Sequence, residues 1–134
     1  MSGGSPFSYA VLRVVPRVER GERLNAGVVV FCRPLRYLAA RTFLDERRLA
    51  ALWPGLDPAA VRPHLRAIER VAAGDPDAGP IAQLDETARF HWLVSPSSTI
   101  IQPSAVHTGL CGDPDEQLER LFESLVLLPT APEA

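Results

Sequence analysis

LNAGVVVFC, residues 24 to 32, is an almost unbroken apolar run rich in β-branched and aromatic side chains. Such a run predicts a central strand with both faces largely covered. Before it, FSYAVLRVV (residues 7 to 15) alternates in the manner of a strand and ends at Pro16. The polar connection RVERGER (residues 17 to 23) joins the two strands, and so short a link predicts an antiparallel hairpin.

After the hairpin and a further strand, the spacing of apolar residues changes from that of strands to that of helices. Residues 36 to 43 extend the hairpin by a third strand, and residues 99 to 103 are predicted to form a short fourth strand. Four helices are predicted, three of them behind a capping aspartate: residues 46 to 53 after Asp45, 58 to 73 after Asp57, 81 to 93, and a last helix after Asp113. The order β-β-β-α-α-α-β-α predicts an α+β fold, a mostly antiparallel sheet of about four strands with helices packed on one face.

The length of 134 residues predicts a single domain over residues 1 to 134. The ends, residues 1 to 6 and 129 to 134, are expected to fray, and residues 74 to 80 to form a flexible loop. The third strand is a candidate sheet edge. Its apolar content makes a homodimer one candidate assembly.

Composition excludes several classes of function. The formal net charge is −2, and aromatic residues are not interleaved with basic ones, which disfavours nucleic acid as a partner. No run approaches the roughly 20 apolar residues that span a bilayer. The two cysteines are far apart, and no signal peptide is recognisable, so the prediction is a reduced, cytoplasmic protein. The glycine spacing fits no phosphate or dinucleotide fingerprint, so no cofactor is expected.

One polar cluster lies at the entrance of the second strand, where Arg20, Glu22, Arg23 and Asn25 precede Gly27. A glycine inside a strand often marks a bulge or the close approach of another backbone. The Asn25 side chain could hold the turn or present its amide to a ligand. The alternative is a solvated charged hairpin loop, since exposed ion pairs are common and weak.

A second cluster lies in SPSSTIIQPSAVHTG, residues 95 to 109, which leads to the helix capped by Asp113. Hydroxyl groups and an imidazole ahead of a helix start could bind an anion, although the Asp113 carboxylate would repel it. The alternative is a loop held by side-chain turns. Arg89 is the nearest candidate cation. Three candidate metal ligands (His107, Cys111 and Asp113) lack an obvious fourth, so no metal is predicted.

YAVLRVVPRVERGERLNAGVVVF (9 to 31) and STIIQPSAVHTGLCGDPDEQLERLFESLV (98 to 126) together resemble the bacterial domain-of-unknown-function family numbered 3037. The resemblance implies a small stand-alone protein without an established activity. Members are often encoded beside HipA-like kinases, which implies an accessory role with such a kinase as partner. The positions that the resemblance marks are Glu22, Arg23, Asn25, Gly27, His107, Thr108, Gly109 and Asp113.

Two functions remain open at the level of sequence. The first is a non-enzymatic binding or accessory module acting with a partner protein, because no complete catalytic constellation occurs. The alternative is an enzyme acting on a phosphoester or nucleotide, with His107 as acid or base and Arg23 or Arg89 stabilising charge. Both require the strand entrance and the turn before the last helix to lie side by side. The predicted surface comprises Arg20, Glu22, Arg23, Asn25, Gly27, Arg89, Ser98, His107, Thr108, Gly109 and Asp113.

Overall fold

The computed structural model describes residues 4–96 and 99–128. These described residues form five strands and four α-helices, in the order β1 (Ser5–Val14), β2 (Leu24–Cys32), β3 (Tyr37–Thr42), α1 (Glu46–Leu52), α2 (Pro58–Ala73), α3 (Glu86–Val94), β4 (Ile101–Pro103), β5 (His107–Cys111) and α4 (Pro114–Leu125). Short 3₁₀ turns occupy Val18–Arg20, Arg33–Leu35, Pro76–Ala78 and Ile81–Gln83. Within the described part of the chain, no helix has both the length and the apolar character needed to cross a bilayer.

All strand pairs are antiparallel, in the order β3-β2-β1, with β4 and β5 both paired to the free side of β1. The predicted α+β class and antiparallel sheet are therefore confirmed. The hairpin of β1 and β2 forms the centre, as the apolar run of β2 predicts. The third strand is an edge strand, also as predicted.

The fifth strand, β5, was missed, and the prediction of a loop over this segment was wrong. It pairs with β1 from Ser5 to Tyr9, which also places Ser5 and Pro6 in the sheet instead of in a frayed end. Residues 1–3 and 129–134, the other parts predicted to fray, lie outside the described residues.

Between β4 and β5 the chain has one residue more than β1 has over the same part of their shared edge. Leu12 faces Pro103, whereas Tyr9 faces His107, so three steps along β1 correspond to four on the outer strand. Ser104 bridges the interruption: its Oγ accepts a 2.8 Å hydrogen bond from the Val11 N–H, and its own N–H donates to the Val11 carbonyl at 2.8 Å. The two strands therefore form one outer strand with a bulge.

Gly27 lies at a second bulge, as its place in the strand predicts. Leu12 faces Gly27 and Arg13 faces Asn25, so β2 carries one extra residue, Ala26. A Cβ atom at Gly27 would lie 2.9 Å from Thr42 Cγ2 and 3.0 Å from a backbone carbonyl oxygen of β3. Glycine is therefore required by close packing as well as by the bulge.

Helices cover both faces of the sheet, which corrects the prediction of helices on one face. Val28 and Val29 are adjacent and point to opposite sides, as in any strand. Val29 packs in a first core with Leu49, Leu65 and Phe90 of α1, α2 and α3. Val28 packs in a second core against α4, where the apolar stripe consists of Leu118, Phe122 and Val126. A strand that is apolar on both sides needs a cover on both sides.

Aspartate caps begin every α-helix, because the side-chain oxygen satisfies an N–H that has no partner inside the helix. The three predicted caps are confirmed at Asp45, Asp57 and Asp113. The third helix was predicted to begin at residue 81, but it begins at Glu86, because the Asp85 carboxylate accepts from the Ala88 N–H at 2.8 Å.

Candidate functional site

The α4 helix covers only part of its side of the sheet. It packs on β2 and β3, which leaves side chains of β1 and of the outer strand accessible on that side. We call this surface the open β1 face and define it by Tyr9, Val11, Arg13, Gln102 and His107. Four of these residues are half-buried and His107 is exposed.

Two arginines form the most unusual feature of this face. Arg13 points out of the central strand β1, and its Nε–H is inaccessible to solvent and has no hydrogen-bond partner among the described residues. Burial lowers the pKa of Arg13, and the positive charge of nearby Arg23 lowers it further. In the described part of the chain, no carboxylate forms an ion pair with either arginine.

The C-terminal end of α4 lies against Asn25, the residue that faces Arg13. A helix carries roughly half a negative charge at this end. Its last carbonyls already have donors: Asn25 Nδ2 donates to the Leu125 oxygen at 3.0 Å, and Arg48 Nη1 donates to the Val126 oxygen at 3.3 Å. Two full positive charges at Arg13 and Arg23 exceed this partial charge.

Arg20 and Glu22 form an exposed ion pair with each other. The hydrogen bond from Arg20 to Glu22 raises the pKa of Arg20. Exposed pairs of this kind contribute little to stability. These two side chains therefore fit the solvated-loop alternative, and the Glu22 charge is balanced by Arg20 instead of by Arg23.

The second motif lies on β5, where His107, Thr108 and Gly109 face Tyr9, Ser8 and Phe7 of β1. The imidazole of His107 stacks obliquely with Tyr9, with ring centroids 5.2 Å apart. A Cβ at Gly109 would lie 2.9 Å from the Phe7 ring. The Asp113 carboxylate accepts from the Asp115 N–H at 3.0 Å and so serves as the cap of α4. Ser98 lies outside the described residues.

The two motifs share one face of the sheet but lie at its two ends. Asn25 faces Arg13, and His107 faces Tyr9. Arg13 lies four residue steps after Tyr9 along β1, which is about 13 Å. The row Tyr9, Val11 and Arg13 connects the two ends, so the motifs are joined through β1 instead of lying side by side.

Arg89 lies on the other side of the sheet, within the first core region. It is only 9% exposed. Its Nη1 donates to the Leu84 carbonyl at 3.2 Å, and its guanidinium packs against Gly74 at the end of α2. The sheet therefore separates Arg89 from His107.

Two further features of the described residues bear on ligand binding. A groove of about 330 Å³ between α2, α3 and β4 is lined mainly by apolar side chains, among them Leu12, Ile68 and Trp92. Ser95 and Thr99 of the hydroxyl-rich segment line it, whereas Arg23, Asn25 and His107 do not. Across residues 4–96 and 99–128, no three His, Cys, Asp or Glu side chains lie close enough together to hold a metal ion.

A family model described as "Protein of unknown function (DUF3037)" matches residues 9–126, which includes both motifs and the whole open β1 face. The chain belongs to this family. The resemblance seen in the sequence is thereby confirmed, and the family assignment extends from β1 through α4. Comparison with curated proteins and with solved structures gave no match.

Arg13 was not among the predicted site residues, although the alternation of β1 in the sequence indicates its position. In FSYAVLRVV the alternation places Tyr9, Val11 and Arg13 on one side of the strand. An arginine in an otherwise apolar row of a central strand indicates an incomplete cover at that position. Gln102 faces Arg13 from β4 and was missed because its strand is only three residues long.

Proposed function

We propose that this protein is a non-enzymatic binding module whose open β1 face docks a partner protein through an acidic or phosphorylated side chain. The observation that supports the proposal is the inaccessible Nε–H of Arg13, which has no partner among the described residues, beside Arg23, which forms no ion pair among them. A buried donor without a partner costs about 1–3 kcal/mol. Binding an anion at this guanidinium removes that cost once a shift of the Arg13 side chain opens the Nε–H to the ligand.

The chemistry of arginine suits such an anion. The guanidinium presents its donors as a planar fork that matches the oxygens of a carboxylate or phosphate. Mutual repulsion between Arg13 and Arg23 is relieved when an anion lies between them.

The length of the face favours a protein segment over a small ion. From Arg13 the row continues through Val11 to the stacked rings of Tyr9 and His107, about 13 Å away. A segment with an acidic group at one end and an apolar or aromatic side chain at the other would contact the whole row. A HipA-like kinase is the partner that the family resemblance suggests for testing.

Nothing observed favours the enzymatic alternative. His107 faces Tyr9, and Leu24, the residue after Arg23, faces Val14. Tyr9 and Val14 are five residue steps apart along β1. This separation is about 16 Å along the strand, far beyond hydrogen-bond reach. Arg89 is on the other side of the sheet. His107 therefore acts in the proposal as part of a contact surface.

The test is quantitative recovery of partners from an extract of the native host on the immobilised protein. Arg23→Gln and Arg13→Met are compared with Arg47→Gln, which removes one exposed charge from α1, a helix that packs in the first core. We expect the same specific partner with the native protein and Arg47→Gln, and recovery reduced at least about tenfold with each of the other two, a loss of about 1.4 kcal/mol. Equal recovery by all four proteins, with circular dichroism showing each one folded, would contradict the proposal.

A further inference from the structure

Among residues 4–96 and 99–128, no strand pairs with the outer edge of β5. The N–H groups of Val11 and Val15 point toward the outer strand, where they bond to Ser104 and to the Ile100 carbonyl. By alternation, the main-chain groups of Tyr9 and Phe7 point the same way. Their partners His107 and Gly109 therefore bond inward to β1, and the N–H and C=O groups of Thr108 and Leu110 point away from the sheet.

This half of the edge has none of the usual protection against pairing with another chain. Natural edges carry charged side chains, prolines or bulges. Pro103 and the bulge at Ser104 protect the β4 half. Residues 101 to 112 contain no Asp, Glu, Lys or Arg, and β5 contains no proline. A second copy approaching β5 would therefore meet no Asp, Glu, Lys or Arg side chain on the edge strand itself.

The same strand presents one large apolar side chain to solvent. Leu110 is 69% exposed, the most exposed large hydrophobic residue in the described part of the chain. Beside it, on the same face, Thr108 borders a shallow hollow whose other walls are Pro6, Phe7, Ser8, Phe31, Arg33 and Pro34. A projecting leucine and a nearby apolar hollow on one surface are the elements of a self-complementary contact.

We propose that two copies of this chain pair through β5, antiparallel, about a two-fold axis at Gly109. In this register Thr108 faces Leu110 of the partner subunit, and Leu110 faces Thr108 of the partner subunit. Each of these two facing pairs exchanges two main-chain hydrogen bonds between the copies. The interface therefore contains four such bonds in total. Each leucine lies over the Thr108 rim of the hollow on the other copy.

The pairing does not rest on the proposed partner-binding function, but it has a consequence for it. Two five-stranded sheets become one continuous ten-stranded sheet. The open β1 faces then lie on the same side of that sheet, with His107 of each copy near the axis and the Arg13–Arg23 ends pointing outward. A dimer would present two anion sites to one partner or to two. The interface is small, so weak association is expected.

The association is tested by sedimentation over a series of protein concentrations up to hundreds of micromolar. We expect reversible dimerisation of the native protein and at least about a tenfold weaker association for Leu110→Lys, equivalent to 1.4 kcal/mol. Leu128→Lys is the matched control, because Leu128 is 62% exposed and lies beyond α4. It should dimerise like the native protein. A native protein that stays monomeric throughout, or a Leu110→Lys variant that dimerises normally, would overturn the proposal.

Amide hydrogen exchange on the native protein keeps the test informative if Leu110→Lys fails to fold. In the dimer the amides of Thr108 and Leu110 become bonded, so their exchange should slow as protein concentration rises. Concentration-dependent protection at Ala40 in β3 instead would assign the dimer to the other sheet edge. That result would also overturn the proposal.

Discussion

The side-chain amide of Asn25 donates a 3.0 Å hydrogen bond to the main-chain carbonyl of Leu125, one hundred residues later in the chain. This bond joins the entrance of β2 to the last turn of α4. It satisfies a carbonyl that has no partner inside the helix. One residue of the first motif therefore has a structural role that the sequence left open.

Replacing Asn25 by alanine should destabilise the fold by about 1 kcal/mol, since one half-buried hydrogen bond is lost and the Leu125 carbonyl loses its donor. Urea denaturation measures the change. Gln83→Ala is the matched control, because Gln83 makes an exposed bond to the Pro76 carbonyl at 3.2 Å. That variant should change stability by less than about 0.5 kcal/mol. Equal losses of unfolding free energy in the two variants would show that the Asn25 bond stabilises the fold no more than an exposed bond does.

Gly27→Ala should cost about 2 kcal/mol, because the new methyl group would overlap Thr42 Cγ2 and the backbone oxygen of Arg41. A backbone oxygen in a sheet cannot move away as a flexible side chain can. Gly112→Ala provides the comparison, since a Cβ there would meet nothing within 4 Å. Thermal unfolding of both variants distinguishes close packing at Gly27 from the general effect of removing a glycine. A small and equal shift in both would contradict the expectation.

The parts of the fold that could be predicted are those with a strong local signal. The apolar run of β2, the alternation of β1 and the aspartate caps all act within a few residues of the chain. The strand β5 could not be predicted in this way, because only Cys111 of its five residues is buried. Its pairing partner lies about one hundred residues away, and the one-residue bulge before it hides the alternation.

The candidate site was predictable only in part, for a related reason. Sequence analysis found Arg23, Asn25 and His107 but not that Arg13 lies between the two motifs on one sheet face. The sheet order decides this, since β1 separates β2 from β5. Arg89 was grouped with His107 because they are close in sequence, yet a helix and a strand placed them on opposite sides of the sheet.

Ser104→Ala tests whether the bulge between β4 and β5 depends on one hydroxyl group. Without Oγ, the Val11 N–H in the middle of β1 loses its 2.8 Å acceptor. The expected loss is about 1–2 kcal/mol in the free energy of unfolding. Ser95→Ala is the control, because that hydroxyl donates to the His91 carbonyl in an exposed position at the end of α3. Comparable urea midpoints for the two variants would show that the bulge forms without Ser104.

Two substitutions at Arg89 separate the effect of its buried charge on stability from the effect of its buried volume. Its guanidinium fills space beside Gly74 but leaves the Nε–H unbonded within the described residues. Arg89→Met keeps most of the volume and removes the charge, so stability should stay within about 1 kcal/mol of the native protein or rise. Arg89→Ala removes the volume as well and should cost about 2–4 kcal/mol. If methionine is as damaging as alanine, the bond to the Leu84 carbonyl matters more than packing.

The environment of the Tyr37 hydroxyl indicates how the free energy of unfolding should change at alkaline pH. Its hydroxyl donates a 3.0 Å hydrogen bond to Asp115 in the first turn of α4. Burial raises the pKa of Tyr37, and the bond to Asp115 and the charge of that carboxylate raise it further. The folded protein therefore holds this proton more tightly than the unfolded chain does. The stabilisation is fully present below the unfolded pKa of about 10 and decreases as the pH rises above it.

Tyr37→Phe removes this contribution, so the variant should be less stable than the native protein at about pH 8, where the hydrogen bond is intact. The difference should shrink as the pH rises beyond about 10, because only the native protein has the shifted group. The change per pH unit stays below the limit of about 1.4 kcal/mol, since the side chain is partly exposed to solvent. Urea denaturation of both proteins at several pH values measures it. A stability gap that stays constant up to about pH 11 would mean that deprotonation of Tyr37 is not linked to unfolding.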